Sequence, residues 1–500
     1  MAFKLKLKPD GASPLYRRIE RTVRTAIEAG ELKAGDRLPS AVDVAKDLGI
    51  NKLTAVKAFQ QLEKAGLVRS EVGRGTFVAS AGESALPAPP EPRPDLTRSI
   101  RRLREGFARG LRELMAVERP PGTINLSGGV PSPATIPDGL LEKLTQEALA
   151  TNPRRLYEYC GPSGLEELRV ALSETLTRRG VAAAPDEIII TNGSQQAVAM
   201  VAAWARDDGR LGIAETPTYS GVPGALMLFG HPVQSVPWED GTPNFAALRA
   251  LAVGQRALCY LCPDFQNPTG QTMPADKRHE LADFVRRNDT CLMVDEIFRE
   301  LRFEGAEPPS LYSLLPPGRR ILIGSISKTF MPGLRVGYLV ADRPMIGELL
   351  TYKRYMDVAA PSLVQGIAAA FLRNGYAKHL EKMRAYYRVR RDAALAALEE
   401  FMPAGVRWTR PQGGFQLWVT MPAGVSSIQL FLRGIEQKVS IVPGPPHDVD
   451  GRYLNSFRMG YAHGTPEEIR TGVRRLSAIV ESLIARGADG RQRSGLGMII

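Results

Sequence analysis

A lysine set behind an apolar strand and two small hydroxyl residues is the position in this chain whose type and setting most invite chemistry. It is Lys328, in SISKTFMPGLRVGY, with Ser325 three positions before it and Arg335 seven after. Alone, a lysine in a Ser-rich turn reads as a solvated surface side chain, and its company is what changes that reading. Upstream stand Ser194 and Gln195, opening a helix directly after the apolar run EIIITN, then Tyr219 in ETPTYSG, Asn267 in FQNPTG and Asp295 in MVDEIF; Arg458 follows in NSFRMGY. A nucleophilic amine, a carboxylate ending a strand, and a helix start with hydroxyls and a guanidinium are the residue types that carbonyl and phosphate chemistry draws on.

In this order and spacing the motifs resemble those of fold-type I, aspartate-aminotransferase-like enzymes, over about residues 120–485. The resemblance implies pyridoxal 5′-phosphate as cofactor and distributes roles around it. Lys328 would form a Schiff base with the aldehyde, and Asp295 would keep the pyridine nitrogen protonated so that the ring can act as an electron sink. Ser194, Gln195, Ser325 and Arg335 would hold the phosphate, Tyr219 would stack on the ring face, and Asn267 would hydrogen-bond the ring hydroxyl oxygen. Tyr159, in LYEYCGPSG, matches the position that reaches the phosphate of a neighbouring subunit, which implies a homodimer, and Arg458 matches the arginine that grips an amino-acid carboxylate. One departure stands out: the family reads Asp-x-x-Tyr, whereas this chain has Phe298 three residues after Asp295. Without that phenol the ionised ring oxygen loses a hydrogen bond, the aldimine proton is held more tightly, and transamination is expected to be slow.

The elements that must position these residues follow from the hydrophobic pattern. From about Pro120 onward, short apolar runs (EIIIT, RALCYLCP, CLMVDE, RILIGS) alternate with longer helical periodicities, which predicts an α/β fold with a mainly parallel central sheet and a smaller C-terminal α+β subdomain. The first 80 residues read differently. Leu15, Ile19, Val23 and Ile27 recur every fourth position; the turn AGDRLPS leads to a second short helix ended by Gly49; a third begins after Ile50 with Ala55, Phe59 and Leu62 facing inward. Two short strands around Gly73-Arg74-Gly75 complete a winged helix-turn-helix. In such a module Lys52, Thr54 and Lys57 can reach phosphates and base edges in the major groove of double-stranded DNA, and Arg74 can enter the minor groove. The stretch from PLYRRIERTVRTAIEAGELKAGDRLPS to VGRGTFVA resembles the head of GntR-type bacterial regulators, with Val42 where that family commonly has Arg, and Asn51-Lys52 where it has Ser-Arg.

Composition is compatible with this division. Of a net charge of +12, residues 1–80 contribute 15 Lys/Arg against 9 Asp/Glu and residues 81–120 contribute 8 against 6, so the excess is concentrated at the end expected to meet a polyanion. Residues 81–119 form a Pro-rich, then basic, linker whose apolar residues Ile100, Leu103, Phe107, Leu111 and Leu114 predict an amphipathic helix, and 486–500 are expected to be a disordered tail. No apolar run is long enough to cross a bilayer, and four cysteines in 500 residues fit a reducing cytoplasm. Cys259-x-x-Cys262 lies inside an apolar strand and is expected to be buried on two faces; the five histidines show no metal spacing, so no metal site is expected, and His447, in PGPPHD, reads as a solvated loop residue.

The layout resembles that of MocR-type transcriptional regulators. It implies a cofactor-bearing body that senses an amine or amino acid by forming an external aldimine, and a DNA-binding head that responds. The alternative is an active 2-aminoadipate- or kynurenine-like aminotransferase carrying a DNA-binding head.

Overall fold

The computed structural model describes residues 15–65, 67–71, 75–79, 114, 116–151 and 153–494. The chain divides into two compact units, Met1–Ser99 and Ile100–Ile500.

In the first unit, helix α1 (Leu15–Glu28) turns Ile19, Val23 and Ala26 inward at helical spacing. Helix α2 (Ala41–Leu48) is set by a reciprocal cap, in which the Ser40 hydroxyl accepts from the Asp43 N–H at 3.1 Å and the Asp43 carboxylate accepts from the Ser40 N–H at 3.3 Å. Gly49, at φ 64°, ends α2 in the left-handed conformation that suits glycine. Helix α3 (Lys52–Lys64) buries Ala55, Ala58, Phe59 and Leu62 against α1 and α2, and strands β1 (Val68–Glu71) and β2 (Gly75–Val78) pair antiparallel with Val68 opposite Val78. Three helices and a hairpin share one small core, as the sequence pattern predicts.

The second unit is built on an eight-stranded sheet of β3 (Ile188–Asn192), β4 (Leu211–Thr216), β5 (Val233–Glu239), β6 (Thr242–Pro243), β7 (Ala257–Leu261), β8 (Thr290–Asp295), β9 (Arg320–Ser325) and β10 (Val336–Ala341). The spatial order is β3-β10-β9-β8-β7-β4-β5-β6, with β9, β8, β7, β4 and β5 parallel and β10 and β6 antiparallel to their neighbours. Both faces are covered, which is why the strands read as continuous apolar runs. Leu258, Tyr260, Met293 and Ile323 pack into one core, while Cys259, Leu261, Leu292 and Val294 pack into another. Cys259 and Cys262 fall into different cores, each almost wholly buried, which matches the sequence reading of that pair. A second, antiparallel sheet of β11 (Arg407–Trp408), β12 (Gln416–Thr420), β13 (Val442–Pro443) and β14 (Ser456–Gly460) runs in the order β11-β12-β14-β13 and packs on the helices Tyr376–Phe401 and Pro466–Ser494.

One expectation changes. The last helix continues through Ser494, so residues 486–494 of the expected tail are helical, and 495–500 lie outside the described residues; once a helix is nucleated each further residue adds a hydrogen bond at little cost. Most of the linker expected over 81–119 lies outside the described residues, although Leu114 and Val117 pack against the core of the second sheet. Among the described residues no helix is long and apolar enough to cross a membrane.

Candidate functional site

The carboxyl ends of the parallel strands place the chemistry, as in other open α/β sheets. Asp295 is the last residue of β8, Ser325 the last of β9, and Tyr219 follows β4 by three residues; Gly193 and Ser194 follow β3 and start the helix Ser194–Asp207. The sheet topology brings these points together although more than 100 residues separate the first from the last.

At the centre, the Lys328 amine donates to the Gly129 carbonyl at 2.7 Å and lies 5.4 Å from the centre of the Phe298 ring. Burial, then the Arg458 charge, push its pKa down to about 8 against the pull of Asp295, with Arg335 adding to the depression. The Asp295 carboxylate accepts from the Tyr260 hydroxyl at 2.8 Å and the Ile297 N–H at 3.1 Å. Burial nonetheless pushes it up to about 6. Among the described residues, a carboxylate held this way has no cationic side chain of its own in direct contact, which a protonated pyridine nitrogen would supply.

Arg458, in the middle of β14, sends one NH2 group to the Asn267 side-chain oxygen at 3.0 Å and the other to the Ser127 carbonyl at 2.9 Å. That bond uses the oxygen of Asn267 and leaves its amide N–H groups free to donate to a ring oxygen. Burial raises the pKa of the Tyr219 hydroxyl, with Asp295 adding to the shift and Arg458 and Arg335 opposing it, so the four groups share one field.

The phosphate end is a glycine-lined cradle. Gly193 caps the helix Ser194–Asp207 at φ 77°, and Arg335, itself at φ 54°, lays its guanidinium where a Gly193 side chain would stand. A Cβ on Gly337 would strike the backbone of Gly193 and Ser194, so glycine at both places lets the helix start approach the strand. Ser325 turns its hydroxyl to the Val336 carbonyl at 3.0 Å and accepts from the Ser327 N–H at 3.1 Å. Gln195 donates to the Gly221 carbonyl at 2.9 Å. The buried Ser327 hydroxyl and the Gln195 side-chain oxygen have no hydrogen-bond partner among the described residues. The Arg458 and Arg335 charges both bear on Lys328, with Asp295 as the opposing charge. A dianionic phosphate on an aromatic ring with a basic nitrogen fits this donor set in both charge and hydrogen bonding.

Of the sequence-assigned residues, Ser194, Gln195, Tyr219, Asn267, Asp295, Ser325, Lys328, Arg335 and Arg458 are brought to this one region. Tyr159 stands on the surface, 90% exposed, so it completes no part of the cradle within its own chain. Four contributors escape a reading by motif. Ser327 sits inside the SISK motif and was within reach, whereas Tyr260 depends on the pairing of β7 with β8, which no local pattern gives. Glu215 and Gln266 hold the turn that presents Asn267: the Glu215 carboxyl accepts from Cys262 N–H and from the Gln266 side-chain amide at 3.0 Å, and the Gln266 oxygen accepts from Thr269 N–H at 2.9 Å. Burial pushes Glu215 well above the usual carboxylate range against its bonds from Gln266 and Cys262, with Asp295 adding to the shift.

In the head, Thr54 lies in the first turn of α3, and Lys57 is exposed with its ammonium 4.3 Å from the Tyr16 ring centre. Arg74 and the side chain of Lys52 lie outside the described residues. Arg37, not singled out from sequence, is exposed and packs its guanidinium 2.8 Å from where a Cβ on Gly75 would stand, beside the wing. Val42 is 52% exposed on α2.

Comparison with known proteins agrees with both halves. Residues 121–476 match the family model for aminotransferase class I and II, and residues 15–78 match bacterial regulatory proteins of the gntR family. A 2-aminoadipate transaminase of Thermus thermophilus is 34% identical over 380 residues, covering 75% of this chain and 94% of that protein. The probable rhizopine catabolism regulatory protein MocR of Rhizobium meliloti is 28% identical over 495 residues and 97% of each chain. Among solved structures, LysN, the alpha-aminoadipate aminotransferase of Thermus thermophilus complexed with N-(5′-phosphopyridoxyl)-L-leucine, superposes with a TM-score of 0.68 at 33% identity over 75% of this chain and 95% of that one.

Proposed function

The chain belongs to the class I and II aminotransferase family and carries a gntR-family DNA-binding head, the combination found in MocR-type transcriptional regulators, and from that premise we propose that the body is a sensor for a primary amine or amino acid. Pyridoxal 5′-phosphate is the cofactor, and what it supplies when bound is an aldehyde carbon that a lysine or an incoming amine can each occupy, coupled to an electron-withdrawing ring. The chain's own residues do the rest. Lys328, with its pKa lowered by burial, presents a neutral amine near pH 8; Asp295 and Asn267 orient the ring; Ser194, Ser325, Ser327 and Arg335 anchor the phosphate; Arg458 presents N–H groups to a carboxylate. A ligand amine at that carbon would leave the Lys328 amine free to donate to the Gly129 carbonyl, the bond it makes here at 2.7 Å, and that change of partner is what could bias the head.

The observation that carries a sensor over an enzyme is Phe298. It is buried, packs edge-on to Phe415 at 6.0 Å, and faces the Lys328 amine with a ring that has no hydroxyl to offer. Phe298→Tyr is expected to raise steady-state turnover with an amino donor and 2-oxoglutarate by up to about tenfold, the worth of one hydrogen bond. If the parent chain already turns over like an aminotransferase and Phe298→Tyr leaves the rate unchanged, the enzyme reading is the better one.

A homodimer with Tyr159 turned to the partner's phosphate fits the surface. Tyr157, Tyr159 and Tyr355 are 77%, 90% and 86% exposed. Each segment is tied to other elements of the body: Ser362 donates to the carbonyl of Glu158, between Tyr157 and Tyr159, at 3.1 Å, and Asp357, two residues after Tyr355, accepts from Asn192, next to Gly193, at 2.6 Å. The test of the whole reading is to titrate the cofactor-loaded protein with a panel of amines and amino acids, following the cofactor spectrum and the binding of labelled DNA from upstream of its own gene in the same samples. Spectral changes that leave DNA binding unmoved would remove the sensor.

On the head, Val42 occupies an exposed position of α2 where a cation would add a phosphate contact. Val42→Arg is expected to tighten binding severalfold across operator and unrelated DNA alike, and to steepen the slope of log K against log salt by about one unit. A change confined to one base position would instead assign residue 42 to base readout.

A further inference from the structure

His447, read from sequence as a solvated loop residue, is 2% exposed. Its Nδ1 lies 2.8 Å from the Thr218 carbonyl, an acceptor, so Nδ1 carries the proton and Nε2 holds a bare lone pair. Among the described residues Nε2 has no hydrogen-bond partner. The ring packs edge-on to Trp418 with centroids 5.7 Å apart, and Trp418 is directly opposite Arg458 across β12 and β14, so both side chains rise from the same face of the sheet. Burial, and then the Arg458 charge, push the imidazole down to about 3, which keeps Nε2 an acceptor at any physiological pH and agrees with the two groups being neighbours.

Arg458 shows the complementary deficit. A guanidinium has five N–H donors. One goes to Asn267 and one to the Ser127 carbonyl, while the buried Nε–H has no partner among the described residues. A buried donor and a buried acceptor, both unmatched among the described residues, each neighbour Trp418, in a site where each unmet group is costly. We propose that His447 is the positioning residue of Arg458: its Nε2 accepts the Arg458 Nε–H when the site takes a carboxylate. With Asn267, Ser127 and His447 holding three of the five donors, the remaining two form a parallel end-on fork that matches a carboxylate's two oxygens. The site then selects α-amino acids over amines that lack the carboxylate. This deepens the sensor reading and rests on it for the ligand's amine, though not for its carboxylate.

The test uses the full-length, cofactor-loaded protein and three small probes: L-alanine, ethylamine, which lacks the carboxylate, and propionate, which lacks the amine. Amine binding is followed by the cofactor spectrum and propionate binding by calorimetry. His447→Phe, which keeps the ring and removes the acceptor, is expected to weaken L-alanine and propionate about tenfold and to leave ethylamine within twofold. His447→Gln, whose side-chain oxygen can replace Nε2, is expected to recover much of the loss and guards against a simple packing effect. The inference is overturned if ethylamine weakens as much as L-alanine, or if neither carboxylate is affected. If both amines leave the spectrum of the parent protein unchanged while propionate still weakens in His447→Phe, the role of His447 stands and amine sensing falls.

Discussion

Lys328→Ala is expected to yield a protein without the visible absorbance of lysine-bound pyridoxal 5′-phosphate, with no pyridoxyl peptide after borohydride reduction, and with no change in DNA binding on adding any amine. Loss should be complete rather than graded. Among the described residues, no other lysine shares its setting: the amine is 2.7 Å from the Gly129 carbonyl, over the Phe298 ring, with its pKa pushed down to about 8. Basal DNA binding should stay within about twofold, because α1, α2, α3 and the hairpin pack on a core of their own within the first compact unit. The variant should still take up the cofactor weakly and without a covalent bond, since Ser194, Ser325, Ser327 and Arg335 are untouched and the helix start remains an anion site. A pyridoxyl adduct on a different lysine in the parent protein would move the centre of the site elsewhere and undo the assignment.

The contrast between Lys328 and His447 shows where sequence is informative. Lys328 is legible because its neighbours in the chain are its neighbours in space: Ser325, Ser327 and Lys328 leave one strand in a single tight turn, and Arg335 returns at the start of the next. Asp295, Ser194 and Tyr219 are legible for a related reason, as each ends or follows a strand whose apolar run marks its own boundary. The head was legible through periodicity alone, with Ile19, Val23, Ala55, Phe59 and Leu62 all buried as their spacing required. Tyr260 and His447 are different. The first acts on Asp295 through strand pairing and the second through a loop packed on Trp418, so their partners are 35 and 29 residues away and no local pattern encodes the meeting. Loop histidines are usually solvated, and the rule fails here because the Thr218 carbonyl and the Trp418 ring give the imidazole one satisfied nitrogen and an apolar wall.

Asp295→Asn should separate stability from function. In the cofactor-free protein, burial raises the Asp295 carboxyl from its ordinary value of 3.8 to about 6, more than the Tyr260 hydroxyl and the Ile297 N–H can offset. Between those two values the folded state keeps a proton that the unfolded chain has released. Stability from this group is therefore greatest below about pH 4, declines as pH rises through about 6, and stays reduced above it, by on the order of 3 kcal/mol. Replacing the carboxylate with an amide removes that decline, so cofactor-free Asp295→Asn should unfold at a higher temperature than the parent at pH 7.5 and at a similar one near pH 4. The loaded protein should behave in the opposite way. A protonated ring nitrogen is the cation that the buried carboxylate lacks, and an amide cannot replace that charge-assisted hydrogen bond, so affinity for pyridoxal 5′-phosphate should fall by about 10- to 100-fold. Calorimetric melting of both proteins, with and without cofactor, at the two pH values checks the crossing. A cofactor-free variant less stable than the parent at pH 7.5 would show that Asp295 is held by its neighbours without strain. Unchanged cofactor affinity would show that no ring nitrogen rests against it, and the electron-sink chemistry assigned to this site would have no electrostatic support.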